Sequence, residues 1–511
     1  MHITYLLLVL FLISCTQTRN KLEEKEELSI IFTGNINAEI EPCGCRQFPL
    51  GGIDNVYGAL SEEAKSSSIV LIDTGDSYYQ ANFIPTSEEK SSKEKAKAVH
   101  EGLNLLNLDF KLIGEQDLSD GLEELKSFTK SAKYKFIISN LKDSAGLPHL
   151  DYKILHFHDH TFYIIGVVKP STIQPELKKY FSDPISTIEK QIKQFKDKFN
   201  FDVKNNFHHL ILLSHSGQKA ELNLARKFPE IDWILGSHSM NFTQQPLIEN
   251  NTKLAQMLSR NHYLGKIHFK KGIAKETYST IEINQQLASK ASPNPMIEFI
   301  KNKKNEIDKV LITEQSSNNL QFYQTDQIPT ATTCIDCHDT QGTFWQKTPH
   351  SLAYITLHKS NKHHDMNCLK CHSLGSNNPK GFKDSQKIAV TEKSEDYWKE
   401  VLGAIKPTKA VRDLSPSQIH QMSKTWYDLD LKYNVNHNFA NVQCLNCHDQ
   451  RAEHLNLPSE FKSPGPDAIK KACLNCHTSD QSNHWYTDGQ LNKEKFENSY
   501  KKVSCPKVTA E

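Results

Sequence analysis

Apolar and polar positions alternate differently along different parts of the chain, and this divides it. Residues 5–13 are almost wholly apolar but too few to span a bilayer, so they predict a signal-type segment. Residues 16–27 are polar and charged, without apolar periodicity, and predict a tether. From Leu28 to about Ile283, short β-branched runs (29–33, 69–73, 136–139, 162–168, 209–214, 232–235) alternate with helical stretches such as 184–199 and 219–228. That rhythm predicts an α/β domain. After Ala288 the pattern changes. Pro293-Asn294-Pro295 precedes a Lys/Asn-rich helical run to about Leu311, and a polar stretch continues to Thr333. This predicts a linker, helix then coil. No later stretch has the length and apolarity of a transmembrane helix.

The expected division is therefore 1–14 signal peptide, 15–27 tether, 28–287 α/β domain, 288–331 linker and 332–511 a second domain. A length of 511 residues suits two or three domains. The hydrophobic content, 37%, is low. Basic and acidic residues balance at 61 against 60, so charge gives no argument for nucleic acid.

The last third carries the strongest chemical signal. The pentapeptide Cys-x-x-Cys-His occurs at Cys334–His338, Cys368–His372, Cys444–His448 and Cys473–His477. This is the attachment spacing of c-type haem. Two thiols add across the haem vinyl groups, and the adjacent histidine falls under the iron as its fifth ligand. A zinc knuckle needs paired cysteines but not a histidine after each second one. The expected cofactors are four haem c groups on Cys334, Cys337, Cys368, Cys371, Cys444, Cys447, Cys473 and Cys476. The proximal ligands are His338, His372, His448 and His477.

Three further features have looser readings. Leu12-Ile13-Ser14-Cys15 resembles the lipobox of bacterial lipoproteins, which implies lipidation at Cys15. Thr16 is not the aspartate that retains such proteins at the inner membrane, so the resemblance implies an outer-membrane anchor facing the periplasm. An ordinary secretory signal with an incidental cysteine is the alternative, because the n-region carries no Lys or Arg. Three cysteines, Cys43, Cys45 and Cys505, remain outside haem and lipid. Cys43 and Cys45 flank one glycine, so a disulfide between them closes a small, strained and easily reduced ring. A redox pair, a soft-metal pair and a bridge from either to Cys505 all stay open.

The loops at the strand ends form an ordered set: Thr33-Gly34-Asn35-Ile36-Asn37, Gly51-Gly52, Asp73-Thr74-Gly75-Asp76, Gly114-Glu115-Gln116-Asp117, Ser214-His215-Ser216-Gly217 and Gly236-Ser237-His238-Ser239. The set resembles the metallophosphatase domain of the 5′-nucleotidase family. That resemblance implies a four-layer αββα sandwich with two metal ions at the strand ends. Position by position, half of the metal site is altered. The family's Asp-x-His is Asn35-x-Asn37, its leaving-group histidine is Gln116, its dyad aspartate is Ser119, and its last loop ends at Met240. Asp76, His215 and His238 persist, with Glu115 as a substitute ligand. The expectation is one divalent ion, or none, and no two-metal hydrolysis. The Pro42-Cys43-Gly44-Cys45 loop resembles a subgroup of exported 5′-nucleotidase-like proteins that lack Asp-x-His.

The tail from Thr332 resembles the tetrahaem cytochromes c that shuttle electrons in nitrifying bacteria. Trp345-Gln346-Lys347-Thr348-Pro349-His350, Val442-Gln443-Cys444 and Glu453-His454-Leu455 carry this resemblance. Twelve of the 24 histidines follow residue 330, dense where haem is dense. The resemblance makes His350 and His454 the first distal-ligand candidates, with His363, His364, His437 and His484 behind them.

The expected whole is an exported, lipid-anchored electron-transfer protein. A mostly α, haem-packed domain follows a degenerate α/β metallophosphatase-like domain. Its expected partners are periplasmic or membrane electron donors and acceptors. Two alternatives stay open: an active phosphoesterase, and a haem-based reductase or oxidase of small nitrogen or sulfur species.

Overall fold

Leu28, Ile30, Ile31 and Phe32 bury strand β1 (Glu27–Thr33) on both faces, as in a strand covered from two sides. The computed structural model that shows this describes residues 25–42, 49–84, 88–239, 241–317, 328–376, 378, 381–382, 384–435, 437–448, 465–487 and 490–506. The chain forms two compact units, the first built mainly from residues before 302 and the second mainly from those after.

In the first unit β1 is followed by β2 (Ser68–Asp73), β3 (Phe110–Lys111), β4 (Lys135–Phe136), β5 (Lys153–Phe157), β6 (His160–Val168), β7 (His208–His215) and β8 (Trp233–Gly236). Then come β9 (Leu247–Glu249), β10 (Thr252–Gln256), β11 (Tyr263–Lys270) and β12 (Ile273–Glu282). They build two six-stranded sheets, ordered β12-β11-β1-β2-β3-β4 and β5-β6-β7-β8-β10-β9. β1 to β4 run parallel, as do β6, β7, β8 and β10, while β11, β12, β5 and β9 pair antiparallel. The sheets meet face to face. Phe269 of β11 packs its ring on Phe162 of β6 at 4.7 Å and on His209 of β7 at 4.9 Å.

Helices cover the outer faces. α1 (Ile53–Glu63) lies on the first sheet, where Glu63 accepts from Ser29 of β1 at 2.5 Å and pairs with Lys266 of β11 at 3.0 Å. α2 (Glu89–Leu105) and α3 (Gly121–Ser131) follow in the chain. α4 (Pro184–Phe199) and α5 (Gln218–Lys227) bury Ile188, Ile192, Phe195, Leu224 and Ala225 against Tyr163, Ile165, Leu210 and Leu212 of the second sheet. Local chemistry fixes the ends of α4. Asp183 caps Ser186 N at 2.8 Å, Pro184 opens the first turn, and Asn200 closes it in the left-handed region at φ 54°. The first unit is thus an α/β sandwich of the expected layering. Two elements differ from the sequence pattern. The 136–139 run is a strand only at Lys135–Phe136, because Ile137 and Ser139 turn to pair with Leu150 and Gly166. The helix after Pro295 continues to Ser317, past the expected end near Leu311.

In the second unit, among the described residues, helices predominate over two short two-stranded ladders. The helices Ser394–Ala404 and Pro416–Lys432 enclose an apolar core with Leu352, Tyr354, Leu369, Ile388, Val401, Trp426 and Phe439. A reciprocal box between Ser415 and Gln418 starts the longer helix.

Candidate metal centre and haem-attachment motifs

Loops at the carboxyl ends of β1, β2, β7 and β8 converge in the first unit, and several leave their strands in the left-handed region. Asn35 (φ 52°), Asn37 (φ 56°), Ala38 (φ 59°), Asp76 (φ 58°) and His238 (φ 74°) all do so. Such conformations are costly and persist where the surroundings impose them. One restraint is a buried charge cluster. Lys111 Nζ lies 2.6 Å from Asp73 and 3.3 Å from Asp117, with all three side chains inaccessible. Asp117 accepts the backbone N–H groups of Asp76, Ser77, Tyr78 and Gly114, each at 2.9 Å. Asp73 accepts Gly75 N at 3.0 Å and Ser77 Oγ at 2.6 Å. The turn that carries Asp76 is therefore held from beneath. Gly114 is required beside it, because a Cβ there would stand 2.1 Å from Asp76 Oδ1 and 2.6 Å from His215 Nε2.

Asp76, Glu115, His215 and His238 meet above this base, one ligand atom of each lying within 4.8 Å of the others. His215 Nε2 is 3.1 Å from Asp76 Oδ2 and 3.0 Å from Glu115 Oε2, and His238 Nδ1 is 2.8 Å from Glu115 Oε1. His215 Nε2 and Glu115 Oε2 are nevertheless buried without a hydrogen bond of proper direction, although close enough to count as an ion pair. Ligand atoms aimed at a shared centre have this arrangement. His215 Nδ1 is bonded to Ser237 Oγ at 2.6 Å and to Thr74 O at 3.1 Å, which orients Nε2 to the cluster. Burial opposes charge on His215, but Asp76 and then Glu115 outweigh it and raise its pKa well above the usual histidine value. Burial raises Asp76, and His215 offsets only part of this. Glu115, despite burial, is held well below the usual carboxylate range by His215 and His238. The cluster therefore attracts positive charge at its centre. Two imidazoles and two carboxylates fit one divalent ion of the Mn, Fe or Zn type.

Among the described residues, the positions altered from the family pattern offer no second cage. Asn35 Oδ1 accepts His238 N at 3.2 Å and Asn35 Nδ2 donates to Ser239 O at 3.5 Å, so Asn35 fixes the last loop. Asn37 Oδ1 and Gln116 Oε1 are buried without hydrogen-bond partners. Ser119 Oγ donates to Ala81 O at 2.5 Å. Met240, Cys43, Cys45, Cys15 and His454 lie outside the described residues. Sequence reasoning missed Lys111 and its two aspartates as the support of the site. A lone lysine inside the apolar run Phe110-Lys111-Leu112-Ile113 was the available signal.

In the second unit the attachment motifs share one local geometry. His338, His448 and His477 each donate their backbone N–H to the carbonyl of the first cysteine of their motif, at 3.0, 3.0 and 2.9 Å. The second motif lies within the helix Met366–His372. A helical turn places both thiols and the imidazole on one side, as haem attachment requires. Cys334 lies beside Cys444 and Cys371 beside Cys476, so the first motif adjoins the third and the second adjoins the fourth. His372 Nδ1 donates to Ala353 O at 2.7 Å, which leaves Nε2 as the lone-pair nitrogen of that ring, and His477 Nδ1 is bonded to Ser482 Oγ at 2.7 Å, which orients its ring.

Among the distal candidates, His350 stands opposite His477 with ring centroids 6.3 Å apart. Two imidazoles bound at about 2 Å to opposite faces of one metal have centroids about 6 Å apart. Burial lowers both pKa values to about 4, which keeps the rings in the neutral, ligating form. His484 packs on Trp485, which itself lies against His477. His363 stacks on His358 at 3.8 Å, His364 Nε2 pairs with Asp308 at 2.8 Å, and His437 Nε2 is bonded to Lys387 O at 3.2 Å. Cys505 is a free thiol on the side of Cys444 and Cys447.

Known proteins match the two parts separately. Residues 333–395 match the family described as cytochrome c554 and c-prime, which supports a cytochrome domain there. Over 234 residues, 42% of this chain, the protein is 23% identical to the human 5′-nucleotidase and 24% identical to the snake venom 5′-nucleotidase of Crotalus adamanteus. That stretch spans 38% and 37% of those two proteins, so the chain covers well under half of each relative. A 5′-nucleotidase precursor of Thermus thermophilus superimposes with a TM-score of 0.46 at 18% identity, over 56% of this chain and 59% of its own. The chain thus combines an α/β sandwich similar in sequence to 5′-nucleotidases with a cytochrome-like part toward its carboxyl end.

Proposed function

We propose that this protein is an exported, lipid-anchored multihaem c-type cytochrome for electron transfer. Its metallophosphatase-like unit is an accessory that holds one divalent ion on Asp76, Glu115, His215 and His238. The observation that carries the reading is the fourfold Cys-x-x-Cys-His motif, each copy folded as a helical turn. Haem c, when attached, supplies reversible one-electron chemistry at its iron. The chain's residues anchor and orient it. The eight motif cysteines would hold the macrocycles, Ala353 O sets the ring tautomer of His372, and Ser482 Oγ orients the ring of His477. His350, whose ring lies 6.3 Å from that of His477, would be a second nitrogen ligand for the same iron, and two such ligands favour electron transfer over substrate binding. Electrons pass to and from donor and acceptor proteins on the periplasmic side, and Cys15 carries the lipid. Pyridine haemochrome against protein mass is the test. Four haems per chain are expected, and fewer than three overturn the reading.

The four-donor cluster favours a second reading, a one-metal phosphoesterase acting on a phosphate ester such as those its 5′-nucleotidase relatives are named for. Two-metal hydrolysis needs paired cations to activate water and to clamp the leaving oxygen. Asn35, Asn37 and Gln116 supply neither anionic nor imidazole donors for a second ion. Manganese-dependent release of phosphate from nucleotides, abolished by His215→Ala, would establish this second reading.

A further inference from the structure

The helix Pro416–Lys432 turns one acid inward. Asp430 is buried, and all of its side-chain bonds come from uncharged donors. Tyr397 donates its hydroxyl to Oδ1 at 2.6 Å, and Asn438 Nδ2 reaches Oδ1 at 3.2 Å and Oδ2 at 3.0 Å. Trp426 Nε1 holds the Tyr397 oxygen in turn at 2.8 Å. A carboxylate buried without a cation is costly, and an apolar side chain would pack this core at lower cost.

Asp430 also lines a cavity, together with Trp426, Asn438, Ala331, Ile335 and Gln443. Ala331 and Ile335 belong to the helical turn that carries Cys334, and Gln443 directly precedes Cys444. Ser351, next to His350, completes the wall. Asp430 therefore shares one small cavity with residues that flank the anchor points of the first and third attachment motifs.

We propose that Asp430 is a redox-linked proton site, which takes up one proton when an electron enters the adjoining haem and releases it on oxidation. The proposal rests on the haem reading above. Its physical cause is charge. A ferric haem carries one more positive charge than a ferrous one, and a nearby positive charge favours the carboxylate over the acid. In the step, an electron from a reducing partner converts Fe(III) to Fe(II). One proton leaves a solvent hydronium ion, whose O–H bond breaks to give water, and forms one O–H bond on an Asp430 carboxylate oxygen. Burial already lifts the Asp430 pKa to about 6, against the bonds from Tyr397 and Asn438, so the group titrates in the ordinary working range.

The titratable groups around it are few. Tyr397 faces it from the helix Ser394–Ala404, and burial keeps that phenol protonated. Tyr427 lines the same cavity from Asp430's own helix. His437 flanks Asn438 on the short ladder, and burial lowers its pKa. Glu400 and Lys432, from the same two helices, pair with each other at 2.6 Å on the exposed side.

The test is a spectroelectrochemical titration of the haem-loaded full chain between pH 5 and 8. Midpoint potentials should fall as pH rises, most steeply near pH 6, and by at most about 59 mV per pH unit, the limit for one electron and one proton. Asp430→Asn should flatten that slope at unchanged haem content. Tyr397→Phe removes a donor to the carboxylate and should move the slope to higher pH. Redox-difference infrared spectra of the unmutated protein should gain a protonated-carboxyl band on reduction, which decides the matter if Asp430→Asn fails to fold. Haem-loaded protein with pH-independent potentials, or a slope that survives Asp430→Asn, overturns this inference alone. Wild-type protein without covalent haem overturns the electron-transfer reading and this inference with it.

Discussion

Glu115 Oε2 and His215 Nε2 stand 3.0 Å apart, both buried, without the direction of a hydrogen bond. They come from loops on different sheets of the sandwich, after β3 and at the end of β7. What aligns them is Asp117, which accepts three backbone N–H groups of the Asp76 turn and that of Gly114 beside Glu115. A cation between the two groups would satisfy both, at the expense of the proton that His215 otherwise holds.

Purified protein should retain about one divalent ion per chain in elemental analysis, and His215→Ala should retain none. Asp117→Asn should weaken metal affinity roughly 10–100-fold, the usual cost of removing a partner that orients a metal ligand. Asp117 touches none of the ligand side chains, so unchanged affinity would show that the turn needs no such support.

Lys111→Met should destabilise the first unit by about 3–5 kcal/mol, because it leaves Asp73 and Asp117 buried without their cation. Urea unfolding scored by pulse proteolysis on peptides from residues 27–282 measures this. A change below about 1 kcal/mol, in the range of a surface pair, would contradict the burial assigned to all three groups.

Acid should loosen the sandwich through His209. Burial, with a smaller push from His160 at 2.8 Å, lowers its pKa from 6.5 to about 4. Between those values the unfolded chain binds a proton that the folded chain does not. The stability this group contributes is therefore complete above pH 6.5 and declines as pH falls toward 4, by an amount on the order of 2–3 kcal/mol. His100, lowered to about 4 mainly by burial, acts in the same direction. The urea midpoint of the first unit should drop from pH 7.5 to pH 5, and less steeply in His209→Gln.

His350→Ala should leave the count of covalent haems unchanged while converting one of them toward a high-spin, five-coordinate spectrum. The expectation follows from the 6.3 Å separation of the His350 and His477 rings. Electron paramagnetic resonance before and after substitution reads it directly. An unaltered low-spin spectrum would move the His477 partner elsewhere, with His484 next to be tested.

The sequence by itself determined whatever depends on short-range spacing. Cys-x-x-Cys-His is legible because two thiols and an imidazole must share one helical turn. α4 is legible at both ends because Asp183, Pro184 and Asn200 act within a few residues of their own backbone. The order of strand-end loops likewise exposed Asp76, Glu115, His215 and His238 as a set. Tertiary structure alone decided the rest. β4 stops at Phe136 because the chain turns to pair with Leu150 and Gly166, partners that no local pattern announces. Lys111 reads as an interruption of an apolar run until Asp73 and Asp117, distant from each other in the chain, close around it. His350 could be ranked among the histidines but not matched to His477, and Asp430 was one acid in a charged helix until folding placed it against Tyr397 and Asn438. Spacing along a chain fixes which groups share a turn, whereas burial and charge depend on segments brought together only when the cores close.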